Sequence, residues 1–342
     1  MRTAYVYDPL YLAHRLRGHP ERPERLERIM EALEHRGMLE RLIALTPVPA
    51  SEAEVESVHS ADYRLRVQQL AARGGGHLDP DTYVNEHSYA AALLAAGGVN
   101  TAVRKLLSNQ IDNAFCLVRP PGHHATPTRG MGFCLFNNIA IGARLAQQEG
   151  GLERVMIVDS DVHHGNGTQE VFYSDPSVLY FSTHQYPHYP GTGHWRETGR
   201  DAGVGTTVNV PLPAGVGDQG YVKVFDSLLW PLAERFRPQL ILVSSGFDAH
   251  WSDPLAAMLL SLTGYATLAR KLCDMAETLC AGRIIFVLEG GYHLDVLAQA
   301  VPDAFLALLH EEPGQDPLGP APYDEVAVDE LVEKLRRFHD LA

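Results

Sequence analysis

The chain has no apolar run of 18 residues and no basic leader followed by an apolar stretch. Neither a membrane span nor a secretory signal is therefore expected. Cysteine is scarce: Cys116, Cys134, Cys273 and Cys280 are the four, and they form no CxxC pair. Cys273 and Cys280 fall on the apolar stripe Leu262, Tyr265, Ala269, Leu272, Ala276, Leu279, the place of core residues rather than of a disulfide. A reducing, cytoplasmic setting fits that usage. Positive charge is also short, with 28 Lys and Arg against 42 Asp and Glu and a net charge of −14. An acidic surface repels phosphate backbones, which argues against nucleic acid as a partner. It would attract amines, lysine-rich tails or polyamines, although solubility alone also explains it.

What is present is the balance of an ordinary globular protein, 45% apolar and 20% charged over 342 residues. Short apolar runs alternate with stretches of helical period, the pattern of a parallel sheet covered by helices. Strands are predicted at Ala4–Tyr7, Ala114–Val118, Val155–Asp159, Val178–Ser182, Thr206–Val210, Leu240–Ser244 and Ile284–Leu288. Helices are predicted at Glu24–Arg36, Ser88–Leu107, Asn138–Glu149, Gln219–Phe236, Leu262–Cys280 and Leu294–Leu309. Pro231 should kink or split the one that contains it, and Ser51 to Glu54 has capping-box spacing. No repeat, low-complexity tract or linker is visible. The expectation is one α/β domain over 1–342, with 310–342 a peripheral segment ending in an amphipathic helix near Val328–Phe338.

The chemistry-bearing residues follow strand ends, where open parallel sheets place their ligand crevice. Arg119-Pro120-Pro121-Gly122-His123-His124 follows one strand and Asp159-Ser160-Asp161-Val162-His163-His164-Gly165-Asn166 a second. Gly246-Phe247-Asp248 follows a third, and Glu289-Gly290-Gly291-Tyr292 a fourth. Asp161, His163 and Asp248 make a three-ligand set with room for an open position, the pattern of a catalytic metal site. Such ligands suit Zn²⁺ and also Fe²⁺ or Mn²⁺. Taken singly, an Asp after a strand is an ordinary turn residue; together the set points to a metal. The tandem His123 and His124 suit acid–base work, with Asp159 and Asn166 available to hold their second ring nitrogens. One of the two histidines is expected to stay charged while the other cycles. Tyr292, after two glycines, can present a phenol to a developing oxyanion.

These residues resemble the histone deacetylase and acetylpolyamine amidohydrolase family, with its arginase-like three-layer α/β fold. The segments R-P-P-G-H-H-A at 119–125, G-F-C-L-F-N-N at 132–138, D-V-H-H-G-N-G-T-Q at 161–169, G-F-D-A at 246–249 and E-G-G-Y at 289–292 occur in family order. From His19-Pro20-Glu21-Arg22-Pro23 to about Leu309, the resemblance spans nearly the whole chain. It implies hydrolysis of an acetyl or other acyl group from acylated lysine or an acylated polyamine, with acetate as product. It implies zinc on Asp161, His163 and Asp248, His124 as principal acid–base residue, His123 as its electrostatic companion and Tyr292 as the carbonyl-polarising donor. Gly132, Phe133, Tyr189 and Leu255 would line the substrate tunnel. Asp159, Asp161 and Ser182 match positions around a structural K⁺, and Arg25 resembles an arginine beside an internal channel for acetate.

Some positions depart from the family pattern. Asn166 stands where many members carry Asp, as in the class II branch and bacterial amidohydrolases. Tyr189 stands where Phe is common. Leu255 occupies a gatekeeper position where a polyamine-selective relative bears Glu, which favours acyl-lysine over acetylpolyamine. Asp79 and Asp81, read as loop residues, are expected to be solvated, with a grip on substrate as the alternative. A two-manganese ureohydrolase is the rival enzyme; it needs a carboxylate where this chain has Gly165, though His250 lies close to Asp248. A non-catalytic acyl-group-binding module is the rival of another class. The sequence leaves a homo-oligomer open.

Overall fold

The runs Val155–Asp159, Leu240–Ser245 and Ile284–Leu288 are buried along their whole length, as strands covered on both faces must be. In the computed structural model, which describes residues 1–341, they lie at the centre of an eight-stranded sheet. The strands are β1 Thr3–Val6, β2 Ile43–Leu45, β3 Gly75–Asp79, β4 Thr82–Asn85, β5 Asn113–Cys116, β6 Val155–Asp159, β7 Val178–Gln185, β8 Thr207–Leu212, β9 Leu240–Ser245 and β10 Ile284–Leu288. The main sheet runs β2-β1-β5-β10-β9-β6-β7-β8 and all its pairings are parallel. β3 and β4 form a separate antiparallel hairpin.

The helices are α1 Glu24–His35, α2 Glu52–Glu56, α3 Ala61–Ala72, α4 Ser88–Leu107, α5 Asn138–Gly150, α6 Asn166–Phe172, α7 Asp218–Val224, α8 Trp230–Phe236, α9 Leu262–Cys280, α10 Leu294–Leu308 and α11 Asp329–Phe338. α4 packs against α5, and α10 against α1 and α9. This is the helix-covered parallel sheet that the sequence predicts. No helix among the described residues is long and apolar enough to cross a membrane. All four cysteines are buried and free.

Most predicted elements appear within a residue or two of their expected bounds, and the differences have local causes. The hairpin β3–β4 was read as loop because its first strand is glycine-rich and only half-buried. α3 hides from an apolar-period search because its buried face includes Arg64, which pairs with Glu52 and Glu56. The predicted break at Pro231 falls upstream instead. A π turn over Phe225–Leu229 lets the Trp230 N–H reach the Phe225 carbonyl, and Pro231 then sits in the first turn of α8, where a missing N–H costs nothing. The capping box at Ser51 and Glu54 is present. The C-terminal segment is tied back onto the body: Glu325 accepts from the Gly217, Gln219 and Gly220 N–H groups at the start of α7, and α11 buries Val332 and Leu335.

The loop after β5 is braced by a buried histidine. His59 Nε2 accepts from the Asn137 N–H at 2.9 Å, so its proton sits on Nδ1 and is donated to the Thr126 carbonyl at 2.9 Å. Burial lowers this imidazole from 6.5 to about 4. The native state thus refuses a proton that the unfolded chain accepts, and stability is full above pH 6.5 and is lost as the pH falls through about 4. The shift corresponds to roughly 3 kcal/mol at its limit. Denaturant midpoints measured from pH 7.5 to 4.5 should fall with pH, and His59→Gln should be less stable but show a shallower fall. An identical pH slope in wild type and variant would refute this account of the brace.

Candidate active site

Four loops meet because their strands are neighbours: β5, β10, β9 and β6 are consecutive in the sheet, although they lie far apart in sequence. All are parallel, so their carboxyl ends open on the same side.

Asp161 and His163 on the loop after β6 meet Asp248 after β9, and ligand atoms of the three lie within 4.8 Å of one another. His163 Nδ1 is 3.1 Å from Asp161 Oδ1 and 3.3 Å from Asp248 Oδ2. Backbone donors aim both carboxylates: Gly290 N–H bonds Asp161 Oδ2 at 2.8 Å, and Val162 N–H bonds Asp248 Oδ1 at 2.9 Å. Asp248 Oδ2 is buried without a hydrogen bond of its own, a costly state for a carboxylate oxygen unless a cation completes it. Burial pulls His163 down, yet Asp161 and Asp248 carry it up to about 10. Two buried carboxylates thus call for positive charge at this point, from an imidazolium or a metal ion, and the N,O,O donor set fits Zn²⁺, Fe²⁺ or Mn²⁺. The cradle also requires glycine. A Cβ at Gly290 would stand 2.1 Å from Asp248 Oδ2 and 2.6 Å from Asp161 Oδ2.

A second group, His123, Cys134 and Glu289, is equally close, but its atoms are already engaged. Glu289 Oε2 accepts from the Gly122 and His123 N–H groups, and the Cys134 thiol donates to the Gly132 carbonyl at 3.3 Å. His250 does not join the Asp161 cluster, because its Nδ1 turns to Ser252.

The two histidines after β5 stand in unlike surroundings. His123 Nδ1 is 3.1 Å from Asp159 Oδ2, and His124 Nδ1 is 2.8 Å from Asn166 Oδ1. Burial opposes charge on both. For His123 the Asp159 and Asp161 carboxylates prevail and lift it to about 10. His124, facing an amide and the neighbouring His123 and His163 charges, is pushed well below 6.5. The surroundings therefore favour the charged form of His123 and the neutral form of His124.

A cavity of about 220 Å³ opens above this floor, lined by His123, His124, Gly132, Phe133, His163, Tyr189, Leu255 and Tyr292 among others. The Phe133 ring stands edge-on to Tyr292 at 5.8 Å and the Tyr189 ring edge-on to His124 at 5.2 Å. Gly132 has φ +56, and a Cβ there would meet His124 Cδ2 at 2.4 Å, so only glycine lets this wall lie against the imidazole. Burial holds the Tyr292 phenol well above its ordinary pKa and keeps it a donor. Ser182 lies beside Asp159 across β6 and β7, with its hydroxyl 2.9 Å from His184 Nδ1. Asp159 Oδ2 is engaged by His123 and Tyr180. Arg25 is fully buried and donates to the Gly291 carbonyl at 2.7 Å and to Glu21 at 3.1 Å, with its guanidinium 5.1 Å from the Tyr292 ring centre.

Several residues around the site carried no readable signal. His188 stacks on His163 at 5.1 Å and donates to the Leu255 carbonyl; nothing near it in sequence marks it. Glu21 stood inside a quoted motif without a role. It is fully buried, and Arg119 and Arg25 hold it down to about 2 against the opposing effect of burial. Asp81 belongs to the turn of the β3–β4 hairpin and lines the cavity, and Asp79 is largely buried beside Arg129; simple solvation describes neither.

Chelator-treated protein dialysed against Zn²⁺ should retain a single ion per chain, read by elemental analysis. Gly290→Ala and Asp248→Ala should retain much less while keeping the wild-type circular dichroism spectrum. Undiminished binding in both variants would remove this cluster from consideration as a metal site.

The family profile described as "Histone deacetylase domain" matches residues 19–308. A probable deacetylase of Archaeoglobus fulgidus is 45% identical over 86% of this chain and 82% of its own length. A histone deacetylase-like amidohydrolase of Pseudomonas aeruginosa is 39% identical over 93% of this chain and 89% of its own. The crystal structure of the HDA15 HD domain superposes with a TM-score of 0.91 at 36% identity, covering 99% of this chain and 96% of that one.

Proposed function

The chain belongs to the histone deacetylase family, and from that premise we propose that it is a metal-dependent amidohydrolase that takes an acetyl or other acyl group from acylated lysine or a similar amine. The observation that carries this reading is the unlike histidine pair beside the Asp161, His163 and Asp248 cluster, at the floor of a narrow, aromatic-walled cavity.

In this reading Asp161, His163 and Asp248 hold the ion. When bound, a divalent ion supplies Lewis acidity, lowering the pKa of water toward about 7 and polarising a carbonyl. Asn166 fixes the proton of His124 on Nδ1 and leaves Nε2 free to take the proton of the attacking water. The same nitrogen then protonates the departing amine, so that a neutral amine leaves. His123, cationic against Asp159, keeps His124 weakly basic, so the proton it gains is readily surrendered. Tyr292 donates to the carbonyl oxygen as negative charge grows there. Phe133 and Tyr189 hold a methylene chain by apolar contact and exclude water. Any structural K⁺ beside Asp159, Asp161 and Ser182 serves the loop rather than the chemistry.

Acyl-lysine is the first choice of substrate because Leu255 at the rim offers no carboxylate to an ammonium. Acetylpolyamine is the second, favoured by Asp81, which lines the same cavity. Hydrolysis of an acetyl-lysine peptide and an acetylpolyamine should be compared on metal-stripped protein reloaded with zinc. Peptide turnover that zinc restores and chelator abolishes is expected; a strong polyamine preference would reverse the ranking, and turnover of neither with zinc bound would point to another acyl amide or to the acyl-group-binding module. Tyr292→Phe should retain metal and lose about 10²–10³ in kcat. Near-wild-type turnover in that variant would deny the phenol its role.

A further inference from the structure

Tyr292 follows a glycine pair that is held only as far as Gly291: Arg25 donates to the Glu289 and Gly291 carbonyls, and Gly290 N–H donates to Asp161. Gly290 and Gly291 precede it, and Gly291 sits at φ +110, a region that side chains do not restrain. A phenol on such a hinge reaches a reacting carbonyl only if its own backbone is pinned. The Tyr292 N–H itself is held from a different loop. Asp253, five residues beyond Asp248 on the chain leaving β9, is buried and 6% exposed. Its Oδ2 accepts the Tyr292 N–H at 2.8 Å and its Oδ1 accepts the Leu255 N–H at 3.0 Å. Asp253 N–H in turn donates to the His250 carbonyl at 2.9 Å, closing the turn that carries the carboxylate. One side chain thus ties the phenol loop, the rim residue Leu255 and the segment that also bears Asp248 into a single rigid unit.

We propose that Asp253 is a positioning residue: through its carboxylate it fixes the Tyr292 backbone, and hence the phenol, at the depth and angle that acyl-amide hydrolysis requires. This rests on the function proposed above. Its effect belongs to the chemical step, because a donor displaced by about 1 Å can forfeit on the order of 10² in rate, while the apolar walls that bind the substrate chain stay in place. The carboxylate accepts from two N–H groups at once. An Asn can keep only one of those bonds and turns its amide N–H₂ toward the other donor.

The test uses the full chain reloaded with zinc, with Asp253→Ala and Asp253→Asn compared with wild type alone and in a Tyr292→Phe background. Hydrogen exchange across residues 286–297 reads the strut without reference to activity. The Tyr292 amide should exchange at least about tenfold faster in Asp253→Ala, with the distant strands unchanged. In kinetics on the acetyl-lysine peptide, kcat should fall about 10- to 100-fold in Asp253→Ala and less in Asp253→Asn, with KM within about threefold. In the Tyr292→Phe background the same change should cost less than about threefold, since a residue that acts through the phenol has nothing left to position. A trifluoroacetyl-lysine peptide, whose carbonyl needs less polarisation, should show a smaller loss than the acetyl peptide. Unchanged exchange at Tyr292, or a loss equally large with and without the phenol, overturns the inference. Absence of turnover in wild type would instead count against the proposed function, and the exchange measurement would still decide whether Asp253 holds Tyr292.

Discussion

Two carboxylates, Asp161 and Asp248, are buried together where β6 and β9 end, and much of the surrounding architecture follows from the need to keep them there. Like charges in a medium of low polarity repel strongly and are poorly solvated. Backbone N–H groups from Gly290 and Val162 satisfy one oxygen of each, and His163 stands between them. The remaining requirement is positive charge, from the His163 imidazolium or from a metal ion. It also explains why the neighbouring backbone approaches so closely, through a glycine that leaves no room for a Cβ.

Charge is graded outward from that point. His123, 3.8 Å from Asp161 and 3.1 Å from Asp159, lies in the field of two carboxylates. His124, one residue further, faces an amide instead. Consecutive residues are thus pushed in opposite directions, His123 toward the charged form and His124 away from it, because a turn in the chain gives each a different partner. Beneath them Arg25, Arg119 and Glu21 form a second buried ionic group whose donors also hold backbone carbonyls of the 289–291 loop. A buried ion pair contributes little net stability. Its worth here lies in geometry, since it fixes a glycine-rich loop from below while Asp253 holds it from the side.

Much of the site was legible because its chemistry is concentrated in short motifs at strand ends. A buried parallel strand followed by Asp-x-His or by tandem histidines is conspicuous, since those side chains have no ordinary place beside an apolar run. The partners Asp159 and Asn166 could be anticipated because they flank the ligands in sequence. Glu21, Asp253 and His188 could not be, because each acts on a segment distant in the chain: Glu21 on Arg119, Asp253 on Tyr292, and His188 on His163 and Leu255. The β3–β4 hairpin was missed for a different reason. Its first strand is glycine-rich and half-buried and its second, though buried, has only four residues, too little for an alternating pattern, and so Asp81 was read as solvated when it lines the cavity.

Sequence by itself determined the class of fold, the order of its central strands along the chain and the residue types carried at their ends, because burial on both faces demands continuous apolar runs and function interrupts them. Tertiary structure decided which strands are neighbours. Hydrogen-bonded pairing puts β5, β10, β9 and β6 side by side in an order no local pattern encodes, and that order alone brings four loops over one floor. It also set the partner that each imidazole faces. Whether an imidazole is charged depends on the carboxylate or amide that packing sets against it, at distances of about 3 Å that no spacing along the chain can specify.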